Sequence, residues 1–281
     1  MNSYRILTRY PVWRYYPPSR SCRLPRRHAR RGEQKQRAEN RSSQMELPMT
    51  PAQAASMSAQ MEKGFYPYDY NGGTCLAIAG KDFVVVAGDT RMSTGFNIKS
   101  RHVSKLFKLT GDTVLATAGF RGDITTLQKL LRVKLTQYEH QHGESMGVSA
   151  VGQLLGNTLY GRRFFPYYTW NVVGGLDGEG VGCVYSYDPV GNYERVRVSV
   201  TGSGESLIQP LLDNQLERQH QQLAAKPPPL HVDLSVDATV DLVKDAFVSA
   251  SERDIRTGDS VEICVVTKEG VQVQTMELNR D

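Results

Sequence analysis

The 281-residue chain has no apolar run approaching the roughly 18 residues that span a bilayer, so the sequence predicts a soluble protein with no membrane partner. Cysteine is scarce: Cys22, Cys75, Cys183 and Cys264 lie far apart and form no CxxC pair. That spacing argues against a disulfide framework and against a cysteine-based metal site, so neither metal nor cofactor is expected. Cys75 and Cys264 fall within apolar, strand-like runs, where a thiol behaves as a small hydrophobe. Free buried thiols suit a reducing compartment.

Acidic residues are nearly missing from the start of the chain. Within residues 1–43 only Glu33 and Glu39 stand against eleven Arg and one Lys, a balance of +10. The whole chain carries +5, which leaves −5 for everything after residue 43. The basic character therefore belongs to a leader and not to the folded part. Residues 1–60 lack apolar periodicity and read as a basic, disordered leader or propeptide. A mitochondrial transit peptide and a nucleic-acid-binding arm are the competing readings. Pro11, Pro17, Pro18 and Pro25 interrupt the amphipathic helix that a transit peptide needs. Met45, Met49, Met57 and Met61 offer alternative starts.

What is present begins near Phe65, and residues 65–281 read as one domain. Cys75–Ala79 and Phe83–Ala87 are β-type runs around "GKD", and Val103–Leu109 and Thr113–Ala118 form a second pair turned at "TGD". Ile124, Leu127, Leu131, Leu135 and Tyr138 then recur at helical spacing until Gly143. Val148, Val151, Leu154, Leu155 and Leu159 mark a second helix. Strands return at Thr169–Val173, Gly182–Tyr187 and Arg195–Val200. A helix is expected from about Ser206 to Leu216, then a loop at "KPPPL", then a helix through Val236, Val240, Val243 and Phe247 with Ser235 as N-cap. Val261–Thr267 and Val271–Met276 close the chain around "KEG".

This order is strands, two helices, strands, two helices, strands, which disfavours a doubly wound parallel sheet. Two antiparallel sheets face to face, with helix pairs outside, would bury both faces of each sheet. That arrangement explains "FVVVAG", which is apolar at consecutive positions instead of alternating. The expected fold class is α+β, a four-layer αββα sandwich.

Four polar residues stand in buried-looking places: Asp89, Lys105, Ser203 and Asp254. Each has an ordinary reading alone. Asp89 can start a turn, Lys105 can lie at the surface, Ser203 in "TGSGES" can enter a helix, and Asp254 can pair with Arg253 or Arg256. As a set they are more specific. "GGTCLAIAGKDFVVVAGDTR", "ATAGFRGD", "TGSGES" and "SERDIRTGD" resemble, in order and spacing, the proteasome beta subunits of the N-terminal nucleophile hydrolases, over nearly all of residues 65–281.

The resemblance implies the αββα fold and a self-cleaving threonine protease chemistry in active members. There the mature chain begins with threonine, whose hydroxyl attacks a peptide carbonyl. Its own free α-amine, of pKa near 8, takes the proton. A buried lysine lowers the hydroxyl's pKa, an aspartate pairs with that lysine, and a glycine N–H stabilises the oxyanion. In the family pattern the nucleophile precedes the aspartate by sixteen residues and the lysine by thirty-two. Counting back from Asp89 and from Lys105 lands both times on Gly73. Gly119 matches the oxyanion glycine, and Ser203 and Asp254 match the remaining positions, with Thr257 where the pattern has serine.

Thr74, the alternative nucleophile, stands one residue late. A one-residue slip along a strand points a side chain to the other face, away from Asp89 and Lys105. Hairpin geometry leaves this open. A three-residue loop, Gly80–Asp82, sets Gly73 opposite Asp89, whereas a Gly80–Lys81 loop puts Thr74 on that face, and a bulge could absorb the shift. The family register selects Gly73.

The resemblance thus implies a non-catalytic beta subunit of the 20S core particle. Its expected partners are other beta subunits in a seven-membered ring, the opposite beta ring and alpha-ring subunits, in cytoplasm and nucleus. An active threonine endopeptidase using Thr74 is the enzyme alternative. A nucleic-acid partner is not expected, because the folded part is acidic and the basic excess is confined to the leader.

Overall fold

In chain order β1 (Thr74–Ala79) and β2 (Phe83–Asp89) are followed by a small hairpin, β3 (Met92–Thr94) and β4 (Asn97–Ser100), and by β5 (Leu106–Lys108) and β6 (Thr113–Gly119). Helices α1 (Arg121–His142) and α2 (Val148–Tyr160) come next. Strands β7 (Thr169–Leu176), β8 (Gly182–Tyr187), β9 (Tyr193–Val196) and β10 (Val198–Gly202) precede α3 (Glu205–Leu212), which runs into a π turn at Asp213–Glu217. Then follow α4 (Val236–Ser251), β11 (Ser260–Thr267) and β12 (Gly270–Glu277). These elements belong to a computed structural model that describes residues 67–217 and 231–278. The expected leader 1–60, Phe65, Cys22 and the "KPPPL" loop lie outside the described residues.

Two five-stranded antiparallel sheets carry the fold. One has the order β10-β1-β2-β11-β12 and the other β5-β6-β7-β8-β9. Every residue of β1 and β2 is buried. Their side chains divide by strand alternation. Cys75, Ala77, Val84 and Val86 cluster with Val114, Ala116, Val172 and Val184 of the other sheet. Leu76, Ile78, Val85 and Ala87 cluster instead with Ile208 and Leu212 of α3 and Val243 and Phe247 of α4. A third cluster joins Leu127 and Leu131 of α1 and Val151 and Leu155 of α2 to Leu115 and Val173. The consecutive apolar run "FVVVA" is thus explained: each neighbour in it serves a different core. Burying each such Val, Leu or Phe contributes roughly 1.5–3 kcal/mol.

Several elements differ from the sequence reading. The run Arg195–Val200 is not one strand. β9 pairs with β8 and β10 pairs with β1, so the chain leaves one sheet for the other at Arg197, whose carbonyl accepts from the Ala79 N–H at 2.7 Å. The expected strand Val103–Leu109 shortens to β5 because Val103 donates its N–H to the Thr90 carbonyl at 2.9 Å, outside the ladder. That diversion brings Lys105 into the interior. The β3–β4 hairpin was not expected. The helix after Ser203 starts at Glu205 and loosens to a π turn three residues past Pro210, which lacks an N–H. Ser235 does cap α4, accepting from the Ala238 N–H at 3.3 Å. No helix among the described residues is long and apolar enough to cross a membrane.

Candidate functional site

The site forms where β1 begins. Gly72 and Gly73 have φ of 71° and 87°, in the left-handed region that favours glycine. This pair turns the chain into β1 at Thr74. Asn71 anchors the approach: its N–H donates to the Gly119 carbonyl at 3.3 Å, and its Oδ1 accepts from the Arg121 N–H at 2.8 Å. The second bond satisfies an otherwise open donor in the first turn of α1.

Lys105 is buried directly before β5, and three acceptors surround its ammonium. They are the Asp89 carboxylate at 3.0 Å, the Asp89 carbonyl at 2.9 Å and the Arg91 carbonyl at 2.6 Å. An ammonium has three donors, so its capacity is filled. Asp89 is fully buried at the end of β2. Its Oδ1 also accepts from the Thr74 N–H at 2.7 Å, and its Oδ2 from the N–H groups of Arg91 at 3.2 Å and Gly258 at 3.4 Å. Burial pushes the Asp89 carboxyl up, opposed by the Lys105 ammonium and by the Thr74 and Gly258 N–H groups.

Gly73, the position that the family spacing points to, lies next to this ion pair. A Cβ built there would run into the Lys105 side chain, 2.5 Å from Nζ, and lie 3.0 Å from Asp89 Oδ1. The lysine therefore occupies the volume of the missing side chain.

Thr74 makes different contacts. Its side chain is fully buried. Its hydroxyl oxygen accepts from the Gly204 N–H at 2.8 Å and lies 2.6 Å from the Thr257 hydroxyl. Thr257 gives its single proton to Asp254 Oδ2 at 2.6 Å, so Thr74 must be the donor to Thr257. The result is a hydroxyl chain that ends on a carboxylate. Ser203 takes a neighbouring place, donating its N–H to the Gly73 carbonyl at 3.0 Å. Gly119 ends β6 with φ of 120°, and its carbonyl holds Asn71.

The structure thus brings Gly73, Asp89 and Lys105 into one cluster and Thr74, Thr257 and Asp254 into a second, with Ser203 between them. One expectation needs correction. Gly80 and Phe83 close the β1–β2 hairpin around a two-residue turn, Lys81–Asp82, and Cys75 pairs with Gly88. Neither loop considered from the sequence is the one observed. This register sets Thr74 opposite Asp89, so the two share a strand position. Thr74 is nonetheless separated from Lys105: its hydroxyl turns toward the α3 and α4 side, as Leu76 and Ile78 do, whereas Lys105 packs where a Gly73 side chain would go.

A family model described as proteasome subunit matches residues 69–266. The chain belongs to the proteasome subunit family. It is 50% identical over 222 residues to the proteasome subunit beta type-1 of Petunia hybrida, covering 79% of this chain and 99% of that one. Against proteasome subunit beta type-1 of Arabidopsis thaliana it is 52% identical over 215 residues, covering 76% and 96%. Against proteasome subunit beta type-6 of Saccharomyces cerevisiae it is 42% identical over 226 residues, covering 79% and 93%.

Within this proteasome subunit a brace lies behind the site that sequence reasoning missed. Arg91 is buried and donates from Nε to Asp259 Oδ2 at 2.8 Å, and Arg101 adds a second ion pair to the same carboxylate. Burial works against the charge, but the two guanidiniums hold the Asp259 carboxyl below its ordinary range. The Arg91 carbonyl in turn holds Lys105. The signal was present in "GDTR" at 88–91 and in the second "TGD", at 257–259, where an arginine two residues after one buried aspartate meets a second aspartate. Only the pairing of β2 with β11 shows that they touch.

Proposed function

We propose that this chain is a non-catalytic beta subunit of the proteasome 20S core particle, at the beta-6 position of a seven-membered ring. It would contact other beta subunits, the opposite beta ring and the alpha ring, and help enclose the chamber used in ubiquitin-dependent protein degradation in cytoplasm and nucleus. Residues 65–281 would form the αββα sandwich of the N-terminal nucleophile hydrolases, with residues 1–60 as a leader. The observation that carries the reading is the Gly73–Lys105 contact. At the place where a threonine hydroxyl would meet a lysine and an aspartate, there is no side chain, and the lysine fills the volume. The similarity to beta type-1 and yeast beta type-6 subunits supports a ring position.

The second reading, an active endopeptidase using Thr74, is favoured by one feature: the Thr74 hydroxyl feeds a chain that ends on Asp254. It ranks lower for two reasons. The Thr74 hydroxyl is turned toward Gly204 and Thr257 and away from Lys105, the cation that would lower its pKa. The hydroxyl is also fully buried, out of reach of a peptide carbonyl.

Intact mass and N-terminal sequencing of the subunit from the assembled complex separate the readings. A chain that begins upstream of Gly73 and escapes a threonine-directed covalent inhibitor is expected. A chain that begins at Thr74 and carries the inhibitor would overturn the proposal.

A further inference from the structure

Beside the paired glycines that open β1, a cavity of about 350 Å³ is lined by Tyr70, Tyr168, Trp170, Gly202 and Glu205. Its three rings stand nearly perpendicular to one another. Tyr70 and Trp170 meet at 87° with centroids 5.8 Å apart, Tyr168 and Trp170 at 78° and 4.7 Å, and Tyr70 and Tyr168 at 83° and 6.3 Å. The walls are set by structure and not by chance rotamers. Trp170 lies in β7, Tyr168 is stacked by Tyr68 at 5.3 Å, and Tyr70 precedes the glycine pair. Glu205, at the start of α3, contributes the one charged group. Glu205 is itself exposed to solvent; among the described residues its carboxyl makes no hydrogen bond and no ion pair, and its partial burial pushes the carboxyl up.

An apolar ligand would leave this carboxyl dehydrated, and an anion would face it directly. A cation satisfies both the carboxylate and the electron-rich ring faces. The rings already show this preference: the Arg256 guanidinium sits 4.8 Å from the Tyr70 centroid, although Arg256 does not line the cavity. We propose that this aromatic box binds the cationic side chain of a peptide, lysine or arginine. The inference deepens the chamber reading above and rests on it for its biological ligand: the subunit would hold basic residues of a translocating chain without cleaving them.

The test uses the full chain, whose two tryptophans are Trp13 and Trp170. Trp13→Phe leaves Trp170 as the sole reporter. Titration with N-acetyl-arginine-N-methylamide is expected to change its emission saturably, with the lysine analogue alike. The uncharged norleucine analogue should bind about ten-fold more weakly, and Glu205→Gln should weaken the arginine probe about five- to ten-fold, with an unchanged circular dichroism spectrum. The same comparison in assembled particles, by equilibrium dialysis of the arginine probe against wild-type and Glu205→Gln complexes with their active threonines capped, covers a chain that does not fold alone. Equal binding of norleucine and arginine probes, undiminished arginine binding in Glu205→Gln, or no saturable binding overturns the proposal. The outcomes are separable from the non-catalytic reading. A mature N-terminus at Thr74 leaves the box standing, and an empty box leaves the reading of Gly73 standing.

Discussion

Thr74 donates its peptide N–H to the Asp89 carboxylate at 2.7 Å, while its hydroxyl points away toward Gly204 and Thr257. The two halves of the residue serve two different networks. An N-terminal nucleophile needs both halves at one place, with its nitrogen free as an amine.

Removing the Thr74 hydroxyl is therefore a stability experiment. Thr74→Val leaves the Gly204 N–H without its acceptor and Thr257 without its donor in a buried place. The expected cost is about 1–3 kcal/mol, read as a lower denaturation midpoint of the chain. Peptidase activity per assembled complex is expected to be unchanged. A loss of one class of peptide cleavage would restore Thr74 as a nucleophile.

Placing a side chain at residue 73 should be worse than losing one at residue 74. Gly73→Thr combines a left-handed φ with a collision against Lys105. A strained non-glycine φ alone costs on the order of 1–3 kcal/mol. Assembly yield and unfolding midpoint should both fall. A variant as stable as wild type would show that Lys105 withdraws freely.

Lys105→Met leaves the Asp89 carboxylate buried with its cation gone. Breaking a buried pair from one side costs roughly 3–5 kcal/mol. The double variant Lys105→Met with Asp89→Asn should recover part of that loss, because the uncompensated charge is removed too. A double-mutant cycle in urea measures the coupling, and additive costs would mean the pair is not energetically joined.

Stability should fall at alkaline pH. Burial pushes the Cys75 thiol up to about 12, and those of Cys183 and Cys264 up to about 11. In the unfolded chain thiols ionise near their ordinary value of about 8.5, whereas in the folded chain they stay protonated. Their contribution is thus fully present below about pH 8.5 and lost as pH rises toward 11–12. Urea midpoints between pH 7.5 and 10.5 should decline, and Cys75→Ala should flatten the decline. An unchanged slope in that variant would exclude Cys75 as a source.

Much of this was legible in the sequence because it is local or periodic. The doubly buried run after Lys81, the helical spacing from Ile124 to Leu135 and the Ser235 cap each follow from residues near one another in the chain. The polar positions Asp89 and Lys105 stood out because charged groups inside apolar strands are rare unless paired. The site was legible only by counting against the family pattern that the chain resembles, which points to Gly73 without saying what fills its place.

What the sequence determined by itself is which residues are apolar, where strands and helices repeat, and that residue 73 has no side chain to act with. The tertiary structure decided the rest. It broke Arg195–Val200 into two strands, since each half found its ladder partner in a different sheet. It set Thr74 opposite Asp89 through the Lys81–Asp82 turn, and it joined Arg91 to Asp259 across 168 residues of chain. Strand register and the direction of a side chain depend on the partner strand and on backbone φ, and those are fixed only when distant segments meet. Lys105 shows this most directly. Its position in the chain was readable at once, but its filling of the Gly73 volume depends on Val103 leaving the ladder for Thr90.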